Sequence, residues 1–129
     1  MLETYEVREN GEIKISGDVI SVIATVAALS VDGVTKMSGT LTDDLSLKFK
    51  IKASDTKGVK VAFIEGALEL ELFIFVEYGM NVVEIAERVQ EAVKESVTMM
   101  TDLNITKIDV YVEGITVDKE YHRTALQGR

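Results

Sequence analysis

The sequence predicts an α+β domain: a mostly antiparallel sheet with two amphipathic helices on one face, in the order β-α-β-(extended segment)-β-β-α-β. Three observations predict it. Apolar and polar residues alternate in "GEIKIS", in "VKVAFIEGALELELFIFVEYG" and in "TKIDVYVEG", the period of a half-buried strand. Between them, "VISVIATVAALS" and "NVVEIAERVQEAVKESVTMM" carry apolar residues at helical spacing. With 129 residues, 47% of them hydrophobic and 28% charged, the chain suits one globular domain, 1–129, with a core over about 11–117 and flexible termini.

In "GEIKIS", Ile13 and Ile15 share one face of a short strand. The next segment is rich in β-branched residues, yet Val19, Val22, Ile23, Val26 and Ala27 recur as on a helix. A helix is expected over about 19–31, with Asp18 as N-cap and Gly33 left-handed just beyond its end. A short strand follows through "VTKMS". In the segment 40–58, Leu45, Leu47, Phe49 and Ile51 alternate with Ser46, Lys48, Lys50 and Lys52, which suits an amphipathic strand or an extended loop equally well. A two-residue turn at Glu65-Gly66 then pairs Ile64 with Ala67, Phe63 with Leu68, Val61 with Leu70 and Val59 with Leu72, all expected on an inner face. The other face sets Ala62 against Glu69 and Lys60 against Glu71. From Asn81, which with Glu84 resembles a capping box, a stripe runs through Val82, Ile85, Ala86, Val89, Ala92, Val93, Ser96, Val97 and Met100. The last strand turns Ile108, Val110 and Val112 inward.

Several chemistries are excluded. Without cysteine there are no disulfides, thiolate metal sites or cysteine nucleophiles. The glycines form neither a G-x-G-x-x-G nor a Walker loop, and no G-x-x-G clamp of the KH type. No metal site and no cofactor are expected. "MLETYEVRENGEIKIS" has no apolar stretch of a secretory signal, and no apolar run approaches the roughly 20 residues of a bilayer span. A cytoplasmic protein without direct membrane insertion is therefore expected, its membrane association depending on a partner.

Net charge is −8 and uneven: −1 over residues 1–64 and −7 over 65–129. That balance disfavours nonspecific nucleic-acid binding. Glu69 and Glu71 lie two apart on a strand, roughly 6.5 Å between α-carbons, a spacing compatible with paired catalytic carboxylates. Lys60 opposite Glu71 favours an ionised carboxylate over a general acid, so a solvated sheet face is the better account. His122, the one histidine, has no second imidazole or nucleophile to act with and reads as a tail residue. Asp43 with Asp44 lacks the spacing of a calcium loop. Lys48, Lys50, Lys52, Lys57 and Lys60 form a basic strip, either a contact for RNA, lipid headgroups or an acidic partner, or an edge protected against aggregation. Phe73, Phe75 and Tyr111 fall on the face opposite the helices. They form either a self-association surface or a patch covered by the 40–58 segment or the tail.

The segments "GEIKISGDVISVIATVAALSVDGVTKM", "GVKVAFIEGALELELFIFVEYGMNVVEIAERVQEAVKESVTMMTDL" and "ITKIDVYVEGI" together resemble the alkaline shock protein family of Gram-positive bacteria, also called the Gls-type general stress family. Glu77-Tyr78-Gly79, Val89-Gln90 and the closing "VYVEGI" carry the likeness, which extends over about residues 11–117. The resemblance implies a small cytoplasmic α/β protein without catalytic activity, linked to cell-envelope stress and homeostasis. It also implies self-association and, for some members, a separate membrane-anchoring partner. No catalytic residues carry over. The chain departs from the family pattern at Asp102, where members often have glycine, so Asn104 is expected to take the left-handed role at the helix end. Asp109 replaces a frequent asparagine, and the lysine-rich 45–52 segment is atypical.

The expected function is thus a non-enzymatic envelope stress or homeostasis protein that forms homo-oligomers and binds partners. The alternatives are an anionic-partner or nucleic-acid module using the lysine strip, a regulator of a metabolic enzyme, and an enzyme relying on Glu69, Glu71 or His122.

Overall fold

The structure is a computed structural model that describes residues 3–39 and 58–117, with residues 3–8 described through their backbone. Its elements are β1 (Glu3–Arg8), β2 (Gly11–Ser16), α1 (Gly17–Leu29), β3 (Val34–Met37), β4 (Val59–Ile64), β5 (Ala67–Glu77), α2 (Val82–Thr101) and β6 (Ile105–Thr116).

β5 is the axis of the fold. Leu68, Leu70, Leu72, Ile74 and Val76 are almost wholly buried, and the residues alternating with them are half-buried. Burying one such side chain stabilises a fold by roughly 1.5–3 kcal/mol. Onto this face pack Ile20, Ile23, Ala24, Ala27 and Ala28 of α1, and Ile85, Val89, Val93 and Val97 of α2. The α+β architecture with both helices on one face is as the sequence predicts.

β4 runs antiparallel to β5 in the predicted register, with Val59 opposite Leu72, Val61 opposite Leu70 and Phe63 opposite Leu68. Glu65 and Gly66 both have positive φ, 51° and 81°, the turn whose twist suits a two-residue hairpin. β3 is antiparallel to the second half of β5, with Val34 opposite Val76 and Met37 opposite Ile74. β6 runs parallel to β5 on its other edge, as a crossover through α2 requires.

β3 and β4 are two halves of one edge strand. Phe73 accepts a hydrogen bond from the Ser38 N–H at 2.8 Å and donates its own N–H to the Gly58 carbonyl at 2.8 Å. In an uninterrupted antiparallel ladder a single opposing residue makes both bonds. Ser38 and Gly58 therefore share one ladder position, and the chain between them is an insertion at that point. A Cβ on Gly58 would lie 2.9 Å from the Ser38 carbonyl oxygen and 3.0 Å from that of Phe73, so only glycine fits where the two halves meet.

The structure corrects several expectations. The N-cap of α1 is Ser16, whose hydroxyl accepts from the Val19 N–H at 3.4 Å, and Asp18 lies in the first turn where its charge complements the helix dipole. Ile20, Ala24 and Ala28 are buried while Val19 is 48% exposed. Nearly every α1 position is apolar, so spacing alone leaves its buried face under-determined. Gly33 does take positive φ, 98°. α2 begins at the predicted cap, with Asn81 Oδ1 accepting from the Glu84 N–H at 2.9 Å. It ends differently: Asp102 itself is left-handed (φ 61°, ψ 11°), a conformation short polar side chains tolerate, and Asn104 is not. Thr101 completes the buried stripe and Met100 is exposed. The Thr101 hydroxyl donates to the Val97 carbonyl and accepts from the Leu103 N–H, which satisfies it in the core. Ile64 and Ala67 lie on the helix-free face by strand alternation, not the inner one, and Ile64 is exposed. β1 was not anticipated. It pairs antiparallel with β2 in a two-stranded sheet of their own, where Ile15 touches the core and Ile13 is exposed.

Candidate functional site

The helix-free face of the sheet is assembled by register. One row sets Lys60 beside Glu71 and Asp109; the next sets Ala62 beside Glu69 and Lys107. Beyond them Phe73 lies beside Tyr111, and Phe75 lies between Lys36 and Gly114. A charged half thus adjoins an aromatic half.

The aromatic half is tightly built. The Phe73 and Tyr111 rings stack with centroids 4.9 Å apart and planes 13° from parallel. Lys60 Nζ lies 5.4 Å from the Phe73 ring centre, and Lys36 Nζ lies 4.7 Å from that of Phe75, both within cation–π range. The Phe75 ring lies against Gly114, where an added Cβ would collide with it. Phe73 and Phe75 are consequently half-buried, whereas Tyr111 is 43% exposed. At the margin, the Ser38 hydroxyl donates to Glu113.

In the charged half a shallow depression is lined by Lys60, Glu69, Glu71, Lys107 and Asp109. Lys107 Nζ lies 3.4 Å from the Asp109 carboxylate. Asp109 first, then Glu69, holds the Lys107 ammonium above its ordinary pKa. The Glu71 carboxylate, with smaller contributions from desolvation and from Asp109, raises the Tyr111 phenol. The Tyr111 hydroxyl is 3.5 Å from Glu71, at the limit of a hydrogen bond. Glu69 and Glu71 therefore sit among mixed charges on a shared surface. Among the described residues no cluster of His, Cys, Asp and Glu is placed to hold a metal ion. Nor is any helix among them long and apolar enough to cross a membrane.

The structure brings Phe73, Phe75 and Tyr111 onto one face, and places Lys60 with them. Lys48, Lys50, Lys52, Lys57 and His122 lie outside the described residues. Sequence reasoning missed Lys36 and Gly114. Neither carries a local signal, because both reach Phe75 through pairings between segments far apart in the chain. Gln90 was also missed: from α2 its side-chain amide donates to the Ile108 carbonyl of β6 at 2.9 Å.

Residues 5–117 match the model of the alkaline shock protein 23 (ASP23) family, described as having a cell envelope-related function. The chain is 33% identical over 108 residues to YqhY of Bacillus subtilis, covering 84% of this chain and 79% of that protein. To YloU of the same organism it is 30% identical, with coverage of 83% and 90%. A stress response regulator gls24 homolog of Streptococcus pyogenes is 28% identical, with coverage of 92% and 68%. Among solved structures, a doubly substituted MamM-CTD is similar in fold, with TM-score 0.52, 18% identity, and coverage of 75% of this chain and 92% of that one. The family match spans both helices, the whole four-stranded sheet and the aromatic face, and by it the chain belongs to the ASP23 family of cell envelope-related proteins.

Proposed function

We propose that this protein is a non-enzymatic cell-envelope stress and homeostasis protein that acts by self-association and partner binding through the helix-free face of its sheet. The observation that carries this is the Phe73–Tyr111 stack, with Tyr111 exposed beside a row of mixed charges. Aromatic area framed by charge is the composition of a recognition surface. The cell envelope-related family and the relatives named as stress response regulators support the same role. In this scheme the protein works in the cytoplasm and reaches the membrane through a partner protein.

Sedimentation velocity on the full chain tests it, comparing the native protein with a Phe73→Ser/Tyr111→Ser variant. The native protein is expected to associate with rising concentration, and the variant to sediment as a monomer with an intact circular-dichroism melt. A native protein that stays monomeric, or a folded variant that associates as well as the native one, overturns the proposal.

A further inference from the structure

We infer that two copies of this chain pair through the outer edge of β6, antiparallel about a twofold axis at Val110, to form one continuous sheet. This rests on the proposed self-association and moves its main contact to the sheet edge, where Asp109 and Tyr111 of the helix-free face lie on β6.

The backbone shows which groups are offered. Both peptide groups of Phe73 are engaged by β3 and β4, so the even-numbered residues of β5 direct theirs to β6. The Leu68 N–H, which donates to the Asn104 carbonyl, fits that alternation. Ile108, Val110 and Val112 stand in register with Leu70, Leu72 and Ile74 and must therefore turn their N–H and C=O groups away from β5. Gln90 confirms the direction, since it reaches the Ile108 carbonyl from α2. Among the described residues no strand pairs with this edge of the twelve-residue β6. An edge of that length is a template for another strand.

Side chains select the partner and the register. A twofold axis at Val110 places Val110 against its own copy and Ile108 against the second copy's Val112, using the three outward residues that lie between the two irregularities of the ladder. On the helix-free face it sets Asp109 against the second copy's Tyr111, whose hydroxyl is only loosely held by Glu71. One step further, at the bulge, Lys107 falls opposite Glu113 of the second copy. An axis at Asp109 would instead oppose two aspartates, and one at Tyr111 would oppose Asp109 to Glu113. Like charges directly opposite destabilise a strand pair. An axis at Ile108 brings in Thr106, next to the irregularity at the start of the ladder, and leaves Val112 unpaired. Gln90 does not block the favoured register, because a carbonyl oxygen accepts two hydrogen bonds.

The chain contains no cysteine, so introduced thiols report the register without background. Full-length Asp109→Cys and Tyr111→Cys proteins would be oxidised gently, separately and mixed, and resolved on a non-reducing gel. The mixture is expected to give a covalent dimer at least tenfold more abundant than either protein alone, since only the unlike positions face one another. Equal or absent cross-linking, with a native chain that sediments as an associating species, overturns edge pairing and leaves association through the sheet face standing. A native chain that remains monomeric overturns both.

Discussion

The hydroxyl of Thr25 is fully buried in α1 and has no hydrogen-bond partner among the described residues. A buried polar atom left in that state carries its desolvation cost uncompensated. Thr25→Val keeps the shape and removes the cost, so the variant is expected to be more stable than the native protein by about 1 kcal/mol. A urea midpoint shifted upward at unchanged slope would verify it, and a downward shift would show that the hydroxyl has a partner after all. Gly114 makes the complementary point about missing atoms. Its lack of a side chain lets the Phe75 ring lie against β6, while Lys36 sits over the same ring.

At the scale of elements, one edge strand is divided into β3 and β4 between Ser38 and Gly58. Residues 38–58 enter and leave the ladder at one position opposite Phe73. A chain in which a single serine replaces residues 38–58 is expected to keep the register of β3 and β4 and to melt cooperatively. Joining β3 and β4 directly shortens the connection whose ends must be brought together on folding, which lowers the entropy cost of pairing them. Hydrogen exchange at the Phe73 amide measures the outcome, and loss of its protection would show that the insertion is needed to hold the strand. The same protein lacks Lys48, Lys50, Lys52 and Lys57, so any salt-sensitive anion binding that it retains cannot come from those lysines. Gln90 shows how one element can act on another's edge, because a helix side chain satisfies an outward carbonyl of β6.

For the whole molecule, pH acts through the charged half of the sheet face. The folded state raises the pKa of both Lys107, beside Asp109, and Tyr111, beside Glu71. A raised pKa means that the folded state holds the proton more tightly. The contribution is complete below the unfolded values, about 10 for both groups, and is lost as pH rises through the folded ones. Both act in the same direction, on a chain already at net charge −8. Stability is therefore expected to fall as pH passes about 10, and to fall less steeply in a Tyr111→Phe variant. Urea midpoints at a series of alkaline pH values test this, and parallel curves for the two proteins would remove Tyr111 from the account. Both groups are exposed, so the effect is modest and screened by salt.

The sequence by itself determined the α+β class, the β4–β5 register, the start of α2 and the presence of Phe73, Phe75 and Tyr111 on the helix-free face. These follow from short-range patterns: alternation assigns a strand's two faces, a two-residue turn sets a hairpin's register, and a cap lies within three residues of its partner. Where the pattern was uniform, as in α1, it located the helix but not its buried side. The joining of β3 and β4 opposite Phe73, the parallel pairing of β5 with β6, and the placing of Lys36 and Gly114 at the Phe75 ring were decided only by tertiary structure. Each depends on segments separated by long stretches of chain, where no local signal specifies which backbone groups will meet and only the packed sheet fixes the pairing.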